Sequence, residues 1–214
     1  MRAALGVLLC VFAAACREDP DMARIRETSK GKYDQKTGKL SEITYDKDKN
    51  GRVDTWVDMD GSRPISARID SDEDGQIDRW EYYNQNGVLL RVGESRAKSG
   101  SVDMWAYMGA DGTPERVEFV EVSNVTGKEG IVRRDHYQGG VKVRGEEDTD
   151  GDGVIDRWET FAGGRLRTVE FDDEKKRDGR PVQRMTYDDR GALIAIETGP
   201  DGQGGYTTRR VIKN

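Results

Sequence analysis

Short runs of alternating apolar and polar residues, separated by loops rich in Asp and Gly, recur along most of the chain. The clearest unit begins at Arg79-Trp80-Glu81-Tyr82-Tyr83, an aromatic run that predicts a strand. Asn84-Gln-Asn86-Gly87 follows, and its Asn-Gly pair predicts a hairpin turn with positive φ. Val88-Leu-Leu90-Arg-Val92 is then a return strand that places Val88, Leu90 and Val92 on one face. Comparable return strands are predicted at Val117 to Val122, Val141 to Val143 and Ala192 to Ile196. Beyond the N-terminal run, no segment holds a helical period with caps. The pattern therefore predicts an all-β fold, an antiparallel sheet of repeated hairpins that is extended or rolled into an open barrel.

The repeat has a period of about 23 to 30 residues, a length typical of modular arrays. Its loops close at Gly51, Gly75, Gly100 and Gly153, with Lys128 to Tyr137 filling the gap as a worn unit. Each of the four tryptophans, Trp56, Trp80, Trp105 and Trp158, follows its loop glycine by the same interval. They are expected in register on one face, as packing anchors of a shared core or as a platform for sugars. The acidic stretch Glu170 to Asp178 reads as a solvated connection.

The loops themselves read Asp46-Lys-Asp48-Lys-Asn50-Gly51, Asp70-Ser-Asp72-Glu-Asp74-Gly75 and Asp148-Thr-Asp150-Gly-Asp152-Gly153. Carboxylates at alternate positions around a glycine turn suit an oxygen-seeking cation, since calcium takes six to eight oxygens. Two loops resemble the EF-hand pattern through all twelve positions. The resemblance implies ligands at Asp70, Asp72, Asp74, the Gln76 carbonyl, Asp78 and Glu81, and at Asp148, Asp150, Asp152, the Val154 carbonyl, Asp156 and Glu159. In the first loop it implies Asp46, Asp48, Asn50, the Arg52 carbonyl and Asp54, but Val57 stands at position 12. The loop ending at Gly100 has Ser95, Ala97 and Ser99 in the ligand places and has lost the ion.

The flanks depart from the family. A helix rises about 1.5 Å per residue and keeps position 12 near the ion. A strand rises about 3.3 Å and carries it roughly 10 Å past position 9. The loops are then closer to the helix-free calcium repeats of thrombospondin type 3, with water or a neighbouring carboxylate such as Asp58 or Glu73 completing the shell. Magnesium, which wants a tight octahedron, suits them less. Asp-Gly stretches are also simply good turns, which accounts for one such loop more easily than for three.

The chain opens Met1-Arg2 and runs apolar from Ala3 to Ala15 before Cys16, which predicts a secretory signal too short to span a bilayer. Ala13-Ala14-Ala15-Cys16 resembles the lipobox of bacterial lipoproteins, with Ala13 where leucine is usual. The resemblance implies a lipid anchor on Cys16, and Arg17 in place of a retaining aspartate leans to the outer membrane. The alternative is an ordinary cleaved signal with an incidental cysteine. Expected domains are residues 1–16 as signal, 17–30 as polar tether and 31–214 as repeat domain, with loops at 46–57, 70–81 and 148–159.

With 36% charged residues and a formal net charge of −6, the chain suits cations and not nucleic acid. With only Cys16 left after processing, it has no disulfide to form, so metal is the available cross-link. There is no phosphate loop, zinc pattern, dinucleotide fingerprint or nucleophile elbow, and His136 is the one histidine. No catalytic residue is assigned. The reading is a non-enzymatic, calcium-binding, lipid-anchored envelope protein whose partner is an envelope protein or glycan. A carbohydrate-binding module with a tryptophan platform is the alternative, and an envelope hydrolase a more distant one.

Overall fold

Turn chemistry and alternation together make a meander. The computed structural model describes residues 27–123, 125–172 and 179–212; Cys16 and the signal lie outside them. The strands are β1 (Ser29–Tyr33), β2 (Leu40–Tyr45), β3 (Thr55–Asp60), β4 (Arg63–Ile69), β5 (Arg79–Tyr83), β6 (Leu89–Glu94), β7 (Met104–Met108) and β8 (Pro114–Val122). They continue as β9 (Glu129–Gln138), β10 (Val141–Glu147), β11 (Arg157–Ala162), β12 (Arg165–Asp172), β13 (Pro181–Tyr187), β14 (Leu193–Pro200) and β15 (Tyr206–Val211). All 15 form one sheet in sequence order, each strand antiparallel to the next. The sheet is open, because β1 and β15 are its two edges and do not pair with each other. Lys30 and Lys32 on one edge, and Arg209 and Arg210 on the other, charge those edges against further pairing.

In such a meander, alternate connections fall at opposite ends. Tight turns occupy one rim. Gly139 (φ 55) and Gly140 (φ 74) join β9 to β10 in the mirror-image turn that only glycine-like residues enter easily. Gly87 (φ 74) closes the β5–β6 turn, with positive φ on the glycine alone of the Asn-Gly pair. Asn84 Oδ1 accepts from the N–H groups of Asn86 (2.8 Å) and Val88 (3.0 Å). The register slips beside this turn, so Leu89 opposes Tyr83, Arg91 opposes Tyr82 and Leu90 is left over. Consequently Val88 and Leu90 are both 47% exposed while Val92 is 4% exposed, and the expected three-residue apolar face does not form.

Directly opposed residues share a face. One cross-sheet row runs Ala67, Glu81, Val92, Ala106, Val117, Asp135, Gly145, Glu159, Val169. Among the described residues it contains four of the five buried apolar side chains, Ala67, Val92, Ala106 and Val169, along with buried Asp135 and Glu159. The adjacent row, on the other face, runs Trp56, Arg68, Trp80, Gly93, Trp105, Glu118, Arg134, Glu146, Trp158. All four tryptophans therefore lie in register on one face, but as half-buried rings and not as a closed core. No second layer among the described residues covers them.

Long side chains do the covering instead. Arg91 stacks on Tyr82 at 4.4 Å and on Trp105 at 4.5 Å. The Trp105 ring lies so close over Gly93 that a Cβ there would meet it at 2.8 Å. In the middle of the sheet ion pairs replace rings: Arg134 bridges Glu118 and Glu146, each at 3.0 Å. Glu170 and Asp172, expected in a solvated connection, belong to β12, where Glu170 pairs with Arg184 at 2.6 Å and Asp172 is 9% exposed. Their alternation continues the strand, and residues 173–178 of that stretch lie outside the described residues.

Candidate metal sites

The Asp-rich loops join β2 to β3, β4 to β5 and β10 to β11, so they share the rim opposite the tight turns. The worn loop with Ser95, Ala97 and Ser99 joins β6 to β7 on that same rim. Loops two strands apart are separated by about 10 Å, close to the screening length in physiological salt.

Backbone ladders fix each loop in the same pose. The N–H groups of Asp54, Asp78, Asp103 and Asp156 donate to the carbonyls of Tyr45, Ile69, Glu94 and Glu147, at 2.9 to 3.0 Å. The carbonyls of the first two accept from the N–H groups of Asp70 and Ser95, each at 2.8 Å, so neighbouring loops are joined through their first and ninth positions. Asp172 takes the same place after Asp156, also at 2.8 Å.

Three carboxylate groups result: Asp46, Asp48 and Asp54; Asp70, Asp72 and Asp78; Asp148, Asp150 and Asp156. Within each, one oxygen per residue lies within 4.8 Å of the others, a set that can hold a metal ion. Position 1 is turned inward, and its second oxygen accepts from the loop glycine: Gly51 to Asp46 at 2.9 Å, Gly75 to Asp70 at 2.9 Å, Gly153 to Asp148 at 2.8 Å. Asp70 is only 6% exposed, and its Oδ1 is buried without any partner, as is Oδ1 of Asp46. An unpaired buried carboxylate oxygen is costly, and a cation would satisfy it. In the third loop Asp148 Oδ1 already accepts from Gly151 N–H at 2.8 Å.

The ninth position does more than face an ion. Asp54 accepts from the Lys47 N–H. Asp78 accepts from Ser71 N–H and hydroxyl, both at 2.8 Å, and Asp156 accepts from Thr149 N–H at 3.1 Å. Burial would raise the Asp78 pKa, but these donors and Lys98 outweigh it and hold the carboxyl below its usual value. Asp103 makes the same clamp, to Arg96 N–H at 3.0 Å and Ala97 N–H at 2.7 Å, in the loop without ligands. Asp103 is not among the expected site residues, although its spacing from Ser95 matches that of Asp54 from Asp46.

Position 5 lies outside the three groups. Oδ1 of Asn50, Asp74 and Asp152 accepts from the N–H of Arg52 (2.7 Å), Gln76 (2.8 Å) and Val154 (2.8 Å), which holds those position-7 residues in the turn. Asp48 is kept below its usual pKa first by the Asn50 N–H.

Glu81 and Glu159 are not brought to the carboxylate groups. Both lie in the buried row on the sheet face, where a strand's rise puts them. Glu81 accepts from Arg79 Nε at 2.7 Å and from the Tyr83 hydroxyl. Glu159, 6% exposed, is held by Arg133 at 2.6 Å, Arg157 at 2.6 Å and Lys142 at 3.4 Å. Burial alone would raise its pKa; Arg133, Arg157 and Lys142 together lower it. Asp58 is likewise turned to Ser66, whose hydroxyl donates at 2.7 Å. Glu73 does reach the first loop, where its Oε2 accepts from Asn50 Nδ2 at 3.0 Å. Desolvation, then Asp48 and Asp54, push the Glu73 carboxyl above its usual value.

His136 sits on β9 with Arg116 and Arg144 as its cross-strand neighbours, and burial lowers its pKa. Against protein-family models and curated proteins, the chain has no match.

Proposed function

We propose that this is a calcium-binding, non-enzymatic protein of the cell envelope, tethered by a lipid on Cys16, whose ion loops stiffen one rim of a single-layer sheet. The observation that carries the reading is the stack of three carboxylate groups on that rim, with buried, unpartnered oxygens on Asp46 and Asp70. A sheet with five buried apolar residues among those described has little core to rigidify it, so cross-links at its connections matter more than in a two-layer fold. Calcium is the better fit than magnesium, because it accepts irregular oxygen ligation whereas magnesium demands a near-ideal octahedron. The tether rests on the sequence at Ala13 to Cys16.

Calorimetric titration with calcium, and separately with magnesium, is the direct test. Calcium is expected to bind at up to three sites and to raise the thermal midpoint over that in chelator. Identical melts in calcium and in chelator reject the reading. Partition of the expressed protein into detergent, abolished by Cys16→Ser, tests the anchor.

One observation favours a second reading. Four tryptophans share one face, half-buried and with no second layer over them among the described residues, so a glycan can stack on the parts left bare. Binding of envelope polysaccharide that protects these rings from acrylamide quenching supports it; unprotected rings reject it.

A further inference from the structure

The fourth position of each loop carries the same unusual backbone. Lys49 (φ 64), Glu73 (φ 62), Lys98 (φ 54) and Gly151 (φ 74) are all left-handed, and three of them are not glycine. Ordinary side chains adopt that conformation at a cost, so its recurrence calls for a reason. In each of those three the side chain ends on what precedes its own loop along the rim. Lys49 reaches Glu27 at 2.8 Å. Glu73 reaches Asn50 of the first loop at 3.0 Å. Lys98, from the loop without ligands, reaches Asp72 of the second loop, within the field of Asp78 and Asp74. Gly151 brings no side chain, and the loop before it has no carboxylate group among the described residues.

These contacts fall on sites with a separate mark of cation binding. Asp70 is 6% exposed with Oδ1 unpartnered, and Asp46 Oδ1 is buried and unpartnered. An ammonium already resting on one of the two loops shows what charge that loop attracts. The two neighbours then act in opposite senses. Glu73 brings a further carboxylate beside the group of Asp46, Asp48 and Asp54, at Asn50 and in the field of Asp48 and Asp54, in the loop where Val57 replaces an acidic position 12. Lys98 subtracts charge from Asp70, Asp72 and Asp78.

We infer that the fourth position of one loop sets the ion affinity of the loop before it: Glu73 is a ligand, direct or through water, of the ion in the first loop, and Lys98 is a tethered rival that the ion displaces from the second. This rests on the cation reading above. It gives the ligand-free loop a function, since the loop keeps its shape through Asp103 and presents Lys98 from it. The third loop is an internal standard, because neither residue reaches it.

The test is calcium calorimetry on the full chain and on Glu73→Gln, Lys98→Gln, Lys98→Arg and Lys39→Gln. Lys39 pairs with Asp60 at 3.2 Å on the opposite rim and reports the effect of net charge alone. Lys98→Gln is expected to tighten one site about three- to tenfold at low salt, a gain that shrinks as salt screens the pair. Lys98→Arg and Lys39→Gln should stay at parent affinity. Glu73→Gln should weaken one site about tenfold or more, as loss of a charged oxygen ligand does. The Lys98→Gln gain should vanish when Asp70→Asn and Asp72→Asn silence the second loop. Unchanged calcium binding in both Glu73→Gln and Lys98→Gln, in chains with parent-like circular dichroism, overturns the inference alone. A gain in Lys39→Gln equal to that in Lys98→Gln also overturns it, as bulk charge. A parent chain that binds no calcium overturns the cation reading, and this inference with it.

Discussion

Asp103→Ala separates the two jobs of the loop aspartates, because Asp103 clamps a loop that has no ligands. The substitution removes acceptors for Arg96 N–H at 3.0 Å and Ala97 N–H at 2.7 Å. A hydrogen bond to a charged group is worth roughly 1.5 to 3 kcal/mol when buried. The Asp103 side chain is 21% exposed, so water replaces part of what is lost. The expected loss is about 2 kcal/mol for the pair, or a fall in melting midpoint of roughly 4–8 °C for a chain of this size. The essential feature is that the fall is the same in calcium and in chelator. Asp103→Asn, which keeps one acceptor, should recover part of it. Asp78→Ala, by contrast, should lose the clamp in both media and a calcium site besides. Scanning calorimetry of the three variants in both media measures this. A midpoint for Asp103→Ala within about 1 °C of the parent, or a fall confined to calcium, would refute the clamp.

Other consequences follow from particular contacts. Glu159→Gln should destabilise by about 2–3 kcal/mol, since it leaves Arg133, Arg157 and Lys142 around a neutral group, while calcium stoichiometry stays unchanged; loss of a calcium site would instead make Glu159 a ligand. Gly93→Ala puts a Cβ 2.8 Å from the Trp105 ring, and should cost about 1–3 kcal/mol and shift tryptophan emission as the ring lifts from the sheet. Asp34, Asp111 and Asp188 in the tight turns, with Asp201 in the β14–β15 loop, are held below the usual carboxyl value of 3.8 by N–H donors of their own turns, chiefly Thr37, Thr113, Ala192 and Gln203. Depressed values give stability that is present above 3.8 and lost as pH falls through the folded-state values. Chelated protein should therefore hold its midpoint down to about that pH and lose it below; a loss beginning near neutrality contradicts this assignment.

The sequence by itself determined the strands, the turns and the shape of each loop, because those depend on neighbours a few residues apart. Alternation over Arg79 to Tyr83 becomes β5, Asn84 to Gly87 becomes its turn, and the fixed step from loop glycine to tryptophan puts four rings on one face. Aspartates at positions 1 and 3, with position 9 clamped back onto the same loop, become the three carboxylate groups for the same reason. Whether the sheet closes, and what covers those rings, was settled by strand order over the whole chain, and a meander with free edges leaves them half-bare. Strand rise takes Glu81 and Glu159 out of the loops and sets each beside an arginine of its own strand, Arg79 and Arg157, but only the tertiary structure brought Arg133 of β9 to Glu159. It alone brought Glu73 and Lys98 to loops more than twenty residues away in sequence. Pairing between strands sets which loop neighbours which, and no local pattern carries that information.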